Sequence, residues 1–200
     1  EALQVAAYRG IPAAAQWSRL RAPGRFDLAH VQLIRLAPLL DALAPLPCTL
    51  DLVDALSLNM ARRAARDRGP VGWMARHEAP RLAALERSVS RSATGVAICS
   101  VADRAAIGVE SIALVPNGVD LAAFPYVAEQ RERRGIVFVG NLGYYPNIDA
   151  VQWFVSEVLP RVGQPARLQL VGVRPARAIR LLAAASPRVD LIGPVPDVHP

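Results

Sequence analysis

The sequence predicts an α/β protein with two parallel sheets, each with helices on both faces. Short apolar, β-type runs alternate along the chain with stretches rich in Ala, Leu and Arg, which is the order of strand–helix–strand units. The alternation breaks once, over residues 121–134, and then restarts. Just before the break, "VPNGVD" at residues 115–120 carries a strong turn signal, yet no second strand follows to close a hairpin. These observations divide the chain into two α/β halves.

Seven strands are predicted from short runs rich in aliphatic and β-branched residues. They cover residues 27–34, 48–53, 94–100, 111–116, 135–140, 166–172 and 188–193. Between them, Ala, Leu and Arg favour helix. The helical stretches read "RLAPLLDALA", "SLNMARRAARD", "WMARHEAPRLAALERSVSRS", "VADRAAIG", "PNIDAVQWFVSEVLPRV" and "RPARAIRLLAAAS".

The turn at Asn117-Gly118 is predicted because both residue types tolerate positive φ angles. It takes the chain out of the first sheet and into the segment 121–134, which leads to the second sheet. Two facing α/β halves are expected to leave a cleft. Ligands of open parallel sheets bind at the carboxyl ends of the strands.

Composition excludes several classes of protein. The 200 residues are 52% hydrophobic and 20% charged, so the chain is expected to bury a core rather than to be disordered. No apolar run reaches the roughly 18 residues of a membrane span. Cys48 and Cys99 lie about fifty residues apart without a CxxC pattern, which favours free thiols in a reducing cytosol over a metal site. No metal or other cofactor is expected.

Basic charge is concentrated in residues 57–92. This segment has eight Arg and three acidic residues, Asp67, Glu78 and Glu86, which give it a net charge of +5. All 23 basic residues of the chain are Arg, and the net charge is +6. The segment is either a solvated helix face or a surface for anionic lipid headgroups. It lacks the interleaved aromatic residues of single-strand nucleic-acid binders, so no nucleic-acid partner is expected. The membrane contact would be made through Arg62, Arg63 and Arg66.

Polar residues follow the predicted strands of the first half. His30, with Gln32 two positions on, is either a packed or capping residue at a strand end or a contact for sugar or phosphate. Asp54 is a turn or cap residue or a ligand contact, with Ser57 as the expected N-cap of the next helix. Ser100 is an N-cap or a contact for acceptor or phosphate.

The loop "GNLGYYPN" (140–147) carries the clearest binding pattern of the second half. A strand ends at Gly140, Gly143 follows, and a helix begins near Pro146. This order is expected to offer backbone N–H groups and a helix amino end to phosphate, although it matches neither GxGxxG nor a P-loop. Gly172 and Gly193 end the next two strands, so backbone is expected to line this edge.

Several motifs in one order carry a family resemblance. "VPNGVDLAAFP" resembles the signature of group 1 glycosyltransferases (family 4, GT-B fold), in which a similar run leads into the interdomain linker. The resemblance extends through "FDLAHVQ", "LDLVDALSLN", "AICSVADR", "IVFVGNLGYYPNIDAVQWF", "ARLQLVGVRP" and "VDLIGPVPDV" and covers most of the chain. The sequence of these motifs is similar to that of exopolysaccharide-associated sugar transferases of bacteria.

The resemblance implies two Rossmann-like domains: an acceptor-side domain at 1–120, a linker at 121–134 and the start of a nucleotide-sugar-binding domain at 135–200. It implies transfer of a sugar from a nucleotide donor to a polysaccharide or lipid-linked acceptor, with retained anomeric configuration. The protein would be cytoplasmic, at the inner face of the membrane. The implied donor contacts are Gly140, Asn141, Gly143, Gly172, Arg174 and Gly193. The implied acceptor or cleft residues are His30, Gln32, Asp54, Ser100, Asn117, Gly118 and Asp120. No catalytic residue is assigned.

Two departures from the family keep alternatives open. Asn141 stands where the family often has an Arg for the diphosphate, and the chain has no Lys. The family's paired Glu motif would lie beyond Pro200, and a first strand would precede Glu1. The chain is therefore expected to be an internal fragment, inactive by itself. A sugar-nucleotide epimerase of the same fold and a non-catalytic nucleotide-sugar-binding or scaffold module remain the alternatives.

Overall fold

A computed structural model describes residues 2–8, 26–126, 135–163 and 166–198. The chain divides into two compact units, Glu1–Gly118 and Val119–Pro200. Both contain parallel strands alternating with helices. The predicted α/β class with parallel sheets is confirmed.

The first unit holds four strands and five α-helices within its described residues. In chain order they are α1 (Leu3–Ala6), β1 (Ala29–Gln32), a 3-10 turn (Ile34–Leu36), α2 (Leu39–Leu43), β2 (Cys48–Asp51), α3 (Leu56–Arg66), α4 (Gly69–Ser92), β3 (Gly95–Ile98), α5 (Val101–Ile107) and β4 (Ala113–Leu114). The strands lie in the order β1-β2-β3-β4, and every pair is parallel.

The core of the first unit lies on one face of this sheet. Leu50 and Val96, on neighbouring strands, are buried with Met60 of α3 and Leu82 of α4. Residues of the opposite face, such as Thr49, are partly exposed. The alternation of buried and half-exposed positions along β2 and β3 follows from the period of two in a strand.

The second unit contains three parallel strands in the order β5-β6-β7. Its elements are β5 (Ile136–Val139), α6 (Tyr145–Trp153), a π turn (Phe154–Val158), a 3-10 turn (Leu159–Arg161), β6 (Leu168–Val171), α7 (Arg177–Ala185) and β7 (Val189–Gly193). The single helix predicted over 146–162 thus changes hydrogen-bonding pattern after Trp153. Pro160 contributes to this change, because proline has no N–H to continue an α-helical ladder.

Both helices of the second unit pack on the same face of its sheet. Leu168 and Leu170 point to that face and form one buried cluster with Val151 of α6 and Ile179 of α7. Among the described residues, the opposite face carries no helix, and its apolar side chains are about half exposed. These side chains are Val137 (60%), Val139 (53%) and Ile192 (50%). The prediction of helices on both faces is therefore wrong for this sheet within the described residues.

The turn predicted at Asn117-Gly118 is also wrong in its geometry. Neither residue has a positive φ angle, and residues 115–120 form no regular structure. The chain turns at Asp120 instead, whose Oδ1 accepts hydrogen bonds from the amides of Ala122 (2.9 Å) and Ala123 (3.2 Å). An Asp side chain can hold a turn by itself in this way. Part of the predicted linker, residues 127–134, lies outside the described residues.

Candidate functional site

The loop after β5 is held by Asn141. The Asn141 side-chain oxygen accepts a hydrogen bond from the Gly143 amide at 3.0 Å, which closes a turn. The Asn141 carbonyl accepts from the Tyr144 amide (3.1 Å) and from Nδ2 of Asn147 (3.0 Å). Asn141 thus fixes both the loop and the start of α6, which is a structural reason for an Asn at this position.

Four amides of this loop donate hydrogen bonds inside the protein. Gly140 donates to the Val171 carbonyl (3.0 Å) and Leu142 to the Val173 carbonyl (2.9 Å). The amides of Gly143 and Tyr144 are occupied by Asn141 as described above. The expected cradle of N–H groups offered to phosphate is therefore not available from these four amides.

The glycines of this edge have a packing explanation. A Cβ atom on Gly172 would clash with the carbonyl oxygen of Gly140 and lie 2.8 Å from its carbonyl carbon. A Cβ atom on Gly143 would lie 2.7 Å from the Arg174 carbonyl oxygen. Gly193 has φ +81° and accepts a hydrogen bond from the Gly172 amide at 2.9 Å. The two loops after β5 and β6 thus pack backbone against backbone, which only glycine permits at these contacts.

Arg174 supplies the cationic side chain of this edge. Its guanidinium side chain is exposed, and its backbone has φ +54°, a conformation that is uncommon for residues other than glycine. The loop is fixed on both sides of it: the Leu142 amide bonds to Val173, and the Ala176 amide bonds to the Leu142 carbonyl at 3.1 Å. Arg174 therefore lies beside the 140–143 loop in a defined backbone position.

Two helix amino ends meet the same edge of the second sheet, because each helix follows a parallel strand. Neither α6 nor α7 has a side-chain cap or an acidic residue in its first turn. A helix amino end carries partial positive charge and attracts anions. With Arg174 and Arg177 at the start of α7, this edge is suited to an anionic ligand. The predicted donor residues Gly140, Asn141, Gly143, Gly172, Arg174 and Gly193 are all brought to it.

The corresponding edge of the first sheet contains strained backbone that is held by Asp51. Leu33 after β1 and Val53 after β2 have φ angles of +74° and +64°, which is strained for such side chains. Asp51 fixes both turns: its carbonyl accepts from the Leu33 amide (2.8 Å), and its Oδ1 accepts from the Val53 amide (2.9 Å). Asp54 follows and accepts a hydrogen bond from Nδ2 of Asn59 at 2.8 Å.

A buried carboxylate occupies the amino end of α3. Glu86 of α4 is fully buried and accepts hydrogen bonds from the Ser57 amide (3.0 Å) and the Ser57 hydroxyl (2.5 Å). Burial raises the pKa of Glu86, and the hydrogen bonds from Ser57 and from the Leu56 backbone oppose the rise. The prediction of Ser57 as N-cap is wrong. Ala55 holds that position, and Ser57 lies inside the helix with its hydroxyl on Glu86.

The other residues predicted for the acceptor side are scattered. His30 is the second residue of β1, near the amino end of the strand, and its Nδ1 lies 2.9 Å from the Thr49 hydroxyl. It is therefore not at the carboxyl edge; Gln32, the last residue of β1, is. Ser100 is the N-cap of α5, with a hydrogen bond of 3.4 Å from the Asp103 amide. Asn117, Gly118 and Asp120 are exposed in the segment after β4.

Arg62, Arg63 and Arg66 lie in the last two turns of α3. Arg63 pairs with Asp67 at 3.0 Å, and Arg62 and Arg66 are exposed. In the described ranges, no helix is both long and apolar enough to cross a membrane. Nor do His, Cys, Asp and Glu residues of those ranges gather in groups of three that suit a metal ion.

Sequence reasoning missed the burial of Glu78 and Glu86. It treated both as part of a solvated charged helix, yet both are fully buried. The signal was present, because positions 75, 78, 82, 86 and 89 recur at three- and four-residue spacing and form one face of α4 with buried Ala75, Leu82 and Val89. Two carboxylates on an apolar helix face indicate internal hydrogen bonding.

Comparison with known proteins supports the fold and one family. Residues 133–200 match the family described as "Glycosyl transferases group 1". None of the curated proteins matches the chain. Among solved structures, the chain is similar to a sucrose-phosphate synthase from Thermosynechococcus elongatus, with a TM-score of 0.64 and 14% identity. The match covers 92% of this chain and 49% of that one, so the chain spans about half the length of that structure.

The structural likeness confirms the predicted fold class, α/β of the GT-B type. At 14% identity it establishes the fold alone. The group 1 match confirms the predicted resemblance for residues 133–200. The narrower likeness to family 4 and to exopolysaccharide-associated transferases stays a prediction.

Proposed function

We propose that the protein is a glycosyltransferase that moves a sugar from a nucleotide donor to a polysaccharide or lipid-linked acceptor with retained anomeric configuration. The observation that carries the proposal is the cationic carboxyl edge of the second unit, within the residues that match group 1 glycosyl transferases. Arg174, the adjacent loop 140–143 and two uncapped helix amino ends lie on that edge. A nucleoside diphosphate is the ligand class that fits this charge.

The donor diphosphate would contact Arg174 and the amino end of α7 rather than the amides of the 140–143 loop. Four of those amides already donate inside the protein. A guanidinium can form two parallel hydrogen bonds with a phosphate group, each stronger than a neutral hydrogen bond. Arg174 would thus provide the charge that the family often places at the position of Asn141.

The acceptor side would be the carboxyl edge of the first unit, with Gln32, Asp54 and Ser100 as its polar side chains. Strained backbone next to this edge, at Leu33 and Val53, is typical of sites where geometry is held for a ligand. We expect the protein to act in the cytoplasm, where nucleotide sugars are its substrates, and without a metal ion.

A second candidate is a module that binds a nucleotide sugar without transferring it. The use of the Asn141 side chain inside its own loop favours this candidate, because it leaves one cation fewer at the diphosphate. A sugar-nucleotide epimerase of the same fold has no comparable support. Transfer of a labelled sugar from a screened set of nucleotide sugars to lipid-linked acceptors separates the candidates. Labelled product supports a transferase. Donor binding without turnover supports the module.

Asn141→Arg tests where the diphosphate lies. The substitution adds a cation at the family's position but removes the hydrogen bond that Asn141 accepts from Gly143. We expect a loss of stability of about 1 kcal/mol and a gain in donor affinity if the diphosphate approaches the loop. Unchanged donor affinity in a variant with a normal melt would place the diphosphate away from the loop, at α7 or elsewhere.

A further inference from the structure

The connection between α3 and α4 carries an unusual combination of exposed charge and exposed apolar surface. We call residues 62–77 the hairpin tip. The hairpin tip contains the last turns of α3, a two-residue link and the first two turns of α4. Its basic residues are Arg62, Arg63, Arg66, Arg68 and Arg76. Its one acidic residue, Asp67, pairs with Arg63 at 3.0 Å.

The basic character of this surface is stronger than the sequence indicates. The three acids of segment 57–92 are Asp67, Glu78 and Glu86. Glu78 and Glu86 are fully buried and Asp67 is engaged by Arg63. No exposed carboxylate of the segment therefore offsets the Arg side chains on its solvent face.

Apolar side chains project from the same tip. Val71 (43% exposed), Trp73 (58%) and Met74 (37%) lie in the first turns of α4. The Trp73 ring lies against that of His77, with centroids 4.2 Å apart. A large aromatic ring beside Arg side chains is the residue pattern of proteins that rest in the headgroup layer of a bilayer. A solvated helix face does not account for three exposed apolar side chains within four residues.

We propose that the hairpin tip docks on an anionic lipid bilayer. Trp73, Val71 and Met74 enter the interfacial layer, and Arg62, Arg68 and Arg76 contact lipid phosphates. The partner is a bilayer rather than a nucleic acid because charge alone would serve a polyanion, whereas the apolar side chains need an apolar layer. This docking is independent of the sugar-transfer chemistry proposed above.

Trp fluorescence tests insertion directly, since the chain has three Trp residues. One protein keeps only Trp73 (Trp17→Phe, Trp153→Phe). Its matched control keeps only Trp153 (Trp17→Phe, Trp73→Phe), which is equally exposed at 59% but lies in the second unit. With phosphatidylglycerol vesicles, Trp73 emission should shift to shorter wavelength and be quenched by brominated acyl chains, while Trp153 emission stays unchanged. Equal behaviour of the two Trp residues would overturn the proposal.

Charge is tested by vesicle sedimentation. Each basic residue near an anionic surface strengthens binding about five-fold, so Arg62→Gln with Arg68→Gln should weaken partitioning about 25-fold. Arg87→Gln with Arg91→Gln changes the net charge equally in the last turns of α4, at least ten residues from the tip, and should weaken it less than about two-fold, because salt screens distant charges. Equal losses in the two variants would contradict docking through the tip.

Heparin binding, measured in parallel, distinguishes a bilayer from a general polyanion. Trp73→Ala should weaken binding to phosphatidylglycerol vesicles about ten-fold, because burial of one large aromatic ring in the interface contributes about that much to the affinity. The same substitution should leave heparin binding unchanged. The wild-type protein should not bind phosphatidylcholine vesicles. Vesicle binding that survives Trp73→Ala in full, or no binding of the wild type to anionic vesicles, would overturn the proposal.

Discussion

The carboxyl edges of the two sheets differ in the backbone conformation of their loops and in the groups at their helix amino ends. At the first, Leu33 and Val53 adopt positive φ angles, and the carboxylate of Glu86 occupies the amino end of α3. At the second, glycines bring two loops into backbone contact, and α7 begins without a cap or an acid. At the first edge, the Glu86 carboxyl group already occupies a helix amino end. The second leaves its positive end open, which is why we assign the nucleotide donor to the second unit.

The largest expected effect comes from Gly172, whose α-hydrogen faces the Gly140 carbonyl. Gly172→Ala would force this contact apart and also place a side chain at φ +145°. We expect a loss of more than about 3 kcal/mol in the free energy of unfolding, measured by urea denaturation. Gly163→Ala is the control, because nothing lies within 4 Å of its new Cβ atom. Similar losses in both variants would show that the loops do not need their backbone contact.

At the strained edge of the first unit, a glycine is expected to raise stability relative to alanine, whereas at Gly172 glycine is needed for packing. At most positions Ala is more stable than Gly by about 0.5–1 kcal/mol. At Val53, with φ +64°, we expect Val53→Gly to be more stable than Val53→Ala by about 1 kcal/mol, because a left-handed conformation penalises a Cβ atom. Thermal melts of the two variants give the comparison. The ordinary order, Ala above Gly, would mean that this turn is not strained.

A smaller effect is expected as a pH dependence of stability. Burial raises the pKa of Glu86 above its ordinary value of 4.5, so the unfolded chain ionises first as the pH rises. The stabilising contribution of protonated Glu86 is complete below pH 4.5 and is lost as the pH rises through the folded pKa. Glu86→Gln cannot ionise. The stability of the wild type relative to this variant should therefore fall above pH 4.5, and a constant difference would contradict the raised pKa.

The sequence predicted the strands well because their aliphatic runs are short and bounded by polar residues. Six of the seven predicted strands contain an observed strand of four or five residues. The predicted strand at 111–116 is reduced to Ala113–Leu114. The interruption of the helix after Trp153 was missed, since the apolar spacing of that segment continues through Val158.

The sequence predicted which residues gather at the carboxyl edge of the second sheet, but not the contacts among them; that these residues hold a donor stays a prediction. The glycine pattern was interpreted as a binding surface, yet it has a packing cause, as the contact between Gly172 and Gly140 demonstrates. Which amides are occupied depends on partners such as Val171 at the end of β6 and Val173 in the loop after it, and a single sequence does not reveal such distant pairs. His30 was misplaced because the amino end of β1 is set by a hydrogen bond to Pro47, a contact across the sheet.

The central claim is that Arg174 and the amino end of α7 hold the donor diphosphate. Calorimetry with the nucleoside diphosphate that binds most tightly tests it, comparing Arg174→Gln with Arg161→Gln. Arg161 has an exposed side chain and a single ion pair within one turn, with Glu157. Loss of a charge-assisted contact of about 1.5–3 kcal/mol should weaken binding at least ten-fold in Arg174→Gln and leave Arg161→Gln unchanged. Equal affinity of the wild type and Arg174→Gln, with unchanged melts, would contradict the account.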